Sequence, residues 1–287
     1  PAAFAKAAER WGDLPFLVSD EGTRTFQEAL DDAYAVARHL REDYGVEKGD
    51  RVAVVAANCP EYVVVAWGII ASGAILTGLN GWWTGPEMVH GIELAEPKLV
   101  TGDERRLARL EELGTDVGVP IIEIGEFVRQ ARAAGPAPVP EVELDEDDPA
   151  IILFTSGTTG RPKGATLTHR GFLHFATSTQ LSQAVGAAVA GVAPDPDAPQ
   201  PAVIAASPMF HISGLVAMLI GGPQTGQKLV FPPPGRWDET THLELTVKHG
   251  ITNWSGVPTQ FWRLVQHPDL ESYDLSTVTT VGGGGAV

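Results

Sequence analysis

Residues 155–163 read TSGTTGRPK, six hydroxyl- or glycine-bearing positions in a row, then arginine, proline and lysine. That run suits an oxyanion. Glycines let the backbone approach a charged oxygen closely, and successive N–H and O–H groups can converge on it. Thr155, Ser156, Gly157, Thr158, Thr159 and Gly160 supply the donors, and Lys163 adds a positive point charge. A ligand-free polar turn is the competing reading, and the unbroken density of the run argues against it. The nucleotide loop G-x-x-x-x-G-K-[ST] is a second competitor, and counted from Gly157 it fails at two defining positions. Pro162 replaces the second glycine and has no N–H, while Gly164 stands where a magnesium-binding hydroxyl is required. A phosphate cradle of another design is expected.

Such a loop needs strands to aim it. Residues 151–154 form an apolar run leading into it. Upstream, Phe26, Leu30, Ala33, Ala37 and Leu40 mark one face of a helix, Thr25 and Glu28 suggest a capping box, and Gly45 an end. Strand and helix patterns then alternate. Strands are expected at 51–57 and 74–79, with helices from Pro60 to Ser72 and from the TGPE start at 84–87. The alternation continues through LVTGD, ERRLARLEELG, VPIIEIG and EFVRQARAAG. Residues 136–150 and 190–201 are rich in proline and acid and read as surface connections. Beyond them come strands at AVIAASPM, KLVFPPP, ITNWSGV and STVTTVGGGGAV, with helices at GLVAMLIGG, HLELTVKHG and PTQFWRLVQH. Strands separated by helices imply parallel sheets covered on both faces. The expected fold is α/β, two packed and mainly parallel α/β layers. Residues 51–190 would form a first subdomain carrying the loop, and 1–50 with 200–287 a second.

Bulk properties exclude several functions. The 287-residue chain carries 36 acids against 20 bases, a net charge of −16. Nucleic-acid binding requires a clustered basic surface. The densest basic group, Arg105, Arg106 and Arg109, sits among Glu104, Glu111 and Glu112 and reads as a solvated helix face. A single cysteine, Cys59, rules out an internal disulfide and reads as an inert core thiol. The N-terminal residues lack a charged-then-apolar signal pattern, and the apolar stretch 62–76 is shorter than the roughly 20 residues a membrane span needs. The default location is cytoplasmic, with peripheral membrane association left open. Trp82, Trp83, Trp254 and Trp262 read as ordinary core aromatics. His169 and His174 are badly spaced for a metal pair on one helix face.

TSGTTGRPKG resembles the signature loop of the adenylate-forming superfamily: acyl-CoA synthetases, peptide-synthetase adenylation domains and firefly-type luciferases. SPMFHISG (207–214) is similar to that family's aromatic–histidine segment, and SGVPTQFWRLVQHPDL (255–270) to its V-P-T helix start. VGGGGAV (281–287) resembles its glycine-rich turn, with Val287 where proline is usual; GIIASGAILTGLN (68–80) matches a further family segment with departures. The resemblance implies ATP-dependent activation of a carboxylic acid, most like a fatty acid, to acyl-AMP with release of pyrophosphate, then transfer to CoA. It implies ATP, Mg2+ and CoA as cofactors, with Thr155 a candidate metal contact. It places the loop through Lys163 on the β/γ-phosphates. His211 would orient the acid or gate the acyl pocket beside Ser213, Val257 and Pro258. Gly283, Gly284 and Gly285 would wall the acyl group and adenine. His211 is not a general base, because a carboxylate is already ionised at neutral pH. Two alternatives stay open: an acyl-AMP ligase that charges a carrier protein, and a nucleotide- or acyl-binding fragment without turnover. The family's acidic magnesium ligand, ribose-binding aspartate and C-terminal catalytic lysine would lie beyond residue 287, so the chain reads as the N-terminal part of a larger enzyme.

Overall fold

The computed structural model describes residues 1–114, 116–155, 162–191 and 198–284. The chain opens with α1 (Ala2–Trp11), then a hairpin of β1 (Pro15–Ser19) and β2 (Gly22–Thr25). In α2 (Phe26–Glu42) the Glu28 N–H donates to Thr25 Oγ1 at 3.1 Å and the Thr25 N–H to Glu28 Oε2 at 2.8 Å. Two of the four free amides of the first turn are thereby satisfied by the expected capping box. Gly45, at φ +59°, turns the chain out of the helix region.

The alternation follows as β3 (Arg51–Val55), α3 (Pro60–Ala71), β4 (Ile75–Gly78), α4 (Gly85–Ala95), β5 (Leu99–Gly102), α5 (Glu104–Glu111), β6 (Ile121–Glu123) and α6 (Ile124–Ala133). Next come β7 (Pro149–Thr155), β8 (Lys163–Thr168) and α7 (His169–Ala190). The second block holds β9 (Ala202–Ile204), α8 (Ile212–Val216), a π-helical turn (Ala217–Gly221) and α9 (Gly222–Thr225). It ends with β10 (Lys228–Val230), α10 (Glu239–His249), β11 (Asn253–Gly256), α11 (Pro258–Val265) and β12 (Thr280–Gly283).

Two sheets result, ordered β6-β5-β3-β4-β7-β8 and β12-β11-β9-β10-β1-β2. The interior pairings are parallel, and in each sheet an antiparallel hairpin, β7–β8 or β1–β2, forms one edge. The helix expected at GLVAMLIGG (214–222) is broken by the π turn. Pro223 has no N–H for the Leu219 carbonyl, and its ring would clash there in a regular α-helix. A wider turn before it relieves both problems.

Alternate residues of β3 enter opposite cores, as the period of a strand dictates. Val52 and Val54 join a central core containing α2 and α3, whereas Ala53 and Val55 face an outer core with Met88, Ile92 and Leu107. In the other sheet Leu229 joins the central core, while Val230 meets Leu243, Trp254 and Leu264 on the far side. The helix layer between the sheets is tightly packed: a side chain on Gly68 of α3 would meet Val36 Cγ1 of α2 at 2.4 Å. No helix among the described residues is long and apolar enough to cross a membrane.

His242 is a buried titratable group in the outer core of α10, 5% exposed. Its Nδ1 accepts from Trp237 Nε1 at 3.2 Å, Trp254 packs edge-on at 5.3 Å, and Nε2 is buried without a partner among the described residues. Desolvation pulls its pKa down to about 4 from an ordinary 6.5. The native state therefore binds fewer protons than the unfolded chain between those values. Stability is complete above pH 6.5 and falls as the pH drops towards 4, by about 3 kcal/mol for a shift of this size. Urea titrations at pH 7 and pH 4.5 should show that loss, and His242→Gln should shrink the difference between the two pH values.

Candidate functional site

Strand β7 and its partner β8 present the two described ends of the phosphate-loop segment. Thr155, last in β7, pairs with Lys163, first in β8, and Thr155 Oγ1 lies 3.5 Å from the Lys163 carbonyl. Both residues are exposed. One hydroxyl and one ammonium are thus held side by side across a ladder. Gly164 keeps that ladder close, since a Cβ there would sit 3.0 Å from Ile152 Cγ2. Ser156, Gly157, Thr158, Thr159 and Gly160 lie outside the described residues, as does Gly285.

His211 is the N-cap of α8, with extended backbone at φ −114° and ψ 144°. The Ser213 N–H donates to His211 Nδ1 at 3.4 Å, and Ser213 Oγ lies 2.9 Å from the same nitrogen. Both contacts fix the orientation of the ring at Nδ1 and leave its Nε2 edge without a partner among the described residues. The residue is exposed, so the ring is open to a ligand.

The turn before His211 is fixed by close contacts. Its N–H donates to the Pro208 carbonyl at 3.1 Å, and a Cβ on Gly214 would sit 2.2 Å from that same oxygen. Phe210 lies over the end of β4, with its Cα 3.7 Å from a Cβ position at Gly78 and Trp82 edge-on at 5.0 Å. Next along the chain, Trp83 meets Phe154 edge-on at 5.1 Å. Aromatic contacts therefore run from the strand before the phosphate loop to the residue before His211. Trp83 and Trp254 are buried as expected of core aromatics, but Trp82 and Trp262 are 71% and 60% exposed. The core expectation fails for those two because Trp82 lies in the turn between β4 and α4 and Trp262 on the solvent face of α11, which buries only Leu264.

Val257 is the N-cap of α11 and Pro258 opens the helix; the Val257 N–H donates to Gln260 Oε1 at 3.0 Å. Gly256 pairs with Gly283 across β11 and β12. A Cβ on Gly283 would meet the Gly256 carbonyl and Phe261 Cε2, each at 2.6 Å, whereas Gly284 has open space. Absence of a side chain at Gly283 thus serves strand packing first. Among the described residues no hydrogen bond or ion pair joins the Thr155–Lys163 pair, His211 and the Gly256–Gly283 pair to one another. They share a position: each lies at or just past the carboxyl end of a strand, or on the return strand beside it, where open α/β sheets bind ligands.

Asn58, three residues past β3, was not singled out by the sequence. Its Nδ2 donates to the carbonyls of Ala205 and Ser207, both at 2.7 Å, and its Oδ1 accepts from the Met209 N–H at 2.9 Å. Asp103 steadies the residue before it, Oδ2 accepting the Ala57 N–H at 2.6 Å while pairing with Arg106 at 2.7 Å. Cys59 follows, and burial pushes its thiol pKa well above the ordinary value, which makes it a poor nucleophile.

The family described as AMP-binding enzyme matches residues 4–287. The chain belongs to that family. The chain is 28% identical to 4-coumarate–CoA ligase 1 of Petroselinum crispum, over 84% of the chain and 44% of the relative. It is 26% identical to a long-chain-fatty-acid–CoA ligase of Bacillus subtilis (strain 168), over 91% of the chain and 50% of the relative. The chain spans about half the length of the curated relatives it matches. Among solved structures it resembles the N-terminal domain of FACL13 from Mycobacterium tuberculosis, with TM-score 0.84 and 22% identity over 99% of this chain and 69% of that one. It also resembles ATP-bound MatB from Rhodopseudomonas palustris, with TM-score 0.80 and 26% identity over 99% of this chain and 55% of that one. The adenylate-forming fold expected from TSGTTGRPKG is thus established for this chain.

Proposed function

We propose that the full-length protein is an acid–thiol ligase, activating a carboxylic acid with ATP and passing the acyl group to CoA. The observation that carries this reading is the family match over residues 4–287, with relatives named as CoA ligases. In the first step a carboxylate oxygen attacks the α-phosphorus, the bond to the bridging oxygen breaks, and pyrophosphate leaves. In the second a thiol sulfur attacks the acyl carbon, AMP leaves, and the thiol proton passes to solvent.

The roles proposed for this chain are limited. Thr155, Ser156, Gly157, Thr158, Thr159, Gly160 and Lys163 hold the β/γ-phosphates, where developing charge needs fixed donors. His211 orients the acid, with Ser213 fixing its ring, and Val257 and Pro258 are assigned to the acyl side. Gly283, Gly284 and Gly285 adjoin acyl group and adenine. Thr155, an exposed hydroxyl, would contact Mg2+ brought with the nucleotide, and the cation would neutralise phosphate charge there. The chain is proposed to divide into two subdomains, 51–190 and 1–50 with 200–287; the grouping of β3–β8 in one sheet and of β1, β2 and β9–β12 in the other supports that division. A cytoplasmic location is proposed with this chemistry.

The acid is proposed to be a fatty acid; 4-coumarate is the second reading, favoured by the plant relatives. Pyrophosphate release by the full-length protein, measured against fatty acids and 4-coumarate with and without CoA, tests both. Acid-dependent release followed by a CoA thioester supports the ligase. Acyl-AMP accumulating without reaction with free CoA supports the carrier-charging alternative. ATP binding with no release for any acid overturns the reading.

A further inference from the structure

We propose that Asn58 is a positioning residue for the acid end of the site: its carboxamide clamps residues 205–209 and thereby sets where His211 stands. The inference rests on the role proposed above for His211.

The geometry uses the whole amide. Two carbonyls, of Ala205 and Ser207, take the two N–H bonds, and the Met209 amide donates to the carbonyl oxygen. Among neutral side chains, two donors and an acceptor on one planar group are what Asn and Gln offer, and only Asn has the shorter reach seen here. The partners leave β9 and run to the cap of α8, while Asn58 lies in the connection that leaves β3 of the other sheet. It is thus a direct polar tie between the strand ends of the two sheets. Without it, residues 205–209 leave β9 with two carbonyls and one N–H lacking these partners. Backbone groups so placed must find water or other bonds, and the turn that presents His211 loses its reference to β3. Both neighbours hold Asn58 still: Asp103 binds the Ala57 N–H, and the Cys59 carbonyl accepts from Tyr62 at 3.1 Å as α3 begins.

A clamp differs from a packing residue in one respect. Asn58→Asp keeps the shape and removes both donors, turning a carboxylate towards two carbonyl oxygens. If Asn58 only fills space, Asp restores wild-type behaviour. If it clamps, Asp is no better than Ala. Hydrogen exchange and steady-state kinetics on the full-length protein separate these cases. In Asn58→Ala the Met209 amide, which loses its acceptor, should exchange roughly 10-fold faster or more, with β3 amides unchanged; Asn58→Asp keeps that acceptor, so its loss of the two donors is read from the acid kinetics. The KM for the acid should rise roughly 10-fold while the KM for ATP moves less than about 2-fold. Asn58→Ser, which retains a hydroxyl, provides the same exchange readout should Asn58→Ala fail to fold. Unchanged exchange at Met209 in Asn58→Ala, or a wild-type acid KM in Asn58→Asp where Asn58→Ala raises it, overturns the clamp. Faster exchange with an unaltered acid KM, together with a neutral His211→Ala variant, leaves the clamp standing and overturns the His211 role instead.

Discussion

Alanine in place of Lys163 should lower acid-dependent pyrophosphate release by the full-length protein roughly 100-fold, the scale seen when one preorganised donor to a developing oxyanion is removed. The same substitution should change the unfolding free energy by less than about 0.5 kcal/mol. The asymmetry follows from its setting. Lys163 is exposed at the first position of β8; its backbone pairs with Thr155, and its ammonium has no ion-pair partner among the described residues. Nothing in the native contacts requires the charge. Lys163→Arg should recover part of the rate, since charge is retained but the point-like ammonium becomes a planar fork. Release unaffected by Lys163→Ala would remove the loop from the phosphate site.

Gly214→Ala should be the costliest small substitution near the site, destabilising the protein by about 3 kcal/mol and abolishing acid activation. The added carbon would lie 2.2 Å from the Pro208 carbonyl oxygen and 2.6 Å from that of Ser207. Both obstacles are backbone, and the Ser207 oxygen is also held by Asn58, so neither can turn aside as a flexible side chain would. Relief has to come from moving the turn that carries His211. Gly221→Ala is the control, because nothing lies within 4 Å of a Cβ there and its backbone is helical. That variant should be neutral or slightly stabilising. Thermal unfolding of the pair checks the contrast; equal melting points would show that the 207–214 turn is free to shift.

Much of the architecture was legible because it rests on local chemistry. Thr25 with Glu28 and Thr84 with Glu87 announce two helix starts; the first box forms in full, and at the second the Thr84 N–H donates to Glu87 Oε2 at 2.7 Å. The strand–helix alternation gives the parallel sheets. The hairpin edges were harder to read: β8 is a short KGATLT run with exposed positions, held by its partner β7 more than by its own pattern. The wide turn at 217–221 was hidden because an apolar run reads as helix whatever its pitch. In the site, Thr155, Lys163 and His211 were visible through their place in motifs. Asn58 was not, since its three bonds go to backbone atoms some 150 residues away and no periodicity marks such a pairing. Gly283 was read for the space it leaves, whereas its immediate neighbours are Gly256 and Phe261.

The register of the second sheet sets a timetable for synthesis. Leu17 and Val18 of β1 pair with Leu229 and Val230 of β10. At translation rates of about 5–20 residues per second, some 10–40 s separate the emergence of these partners. Through that interval the hairpin β1–β2 has an unpaired edge, while the sheet of β3 to β8 can already assemble around α2 and α3. A nascent chain stalled before residue 228 therefore carries one sheet complete and the other open, and the first strand made is among the last to be enclosed.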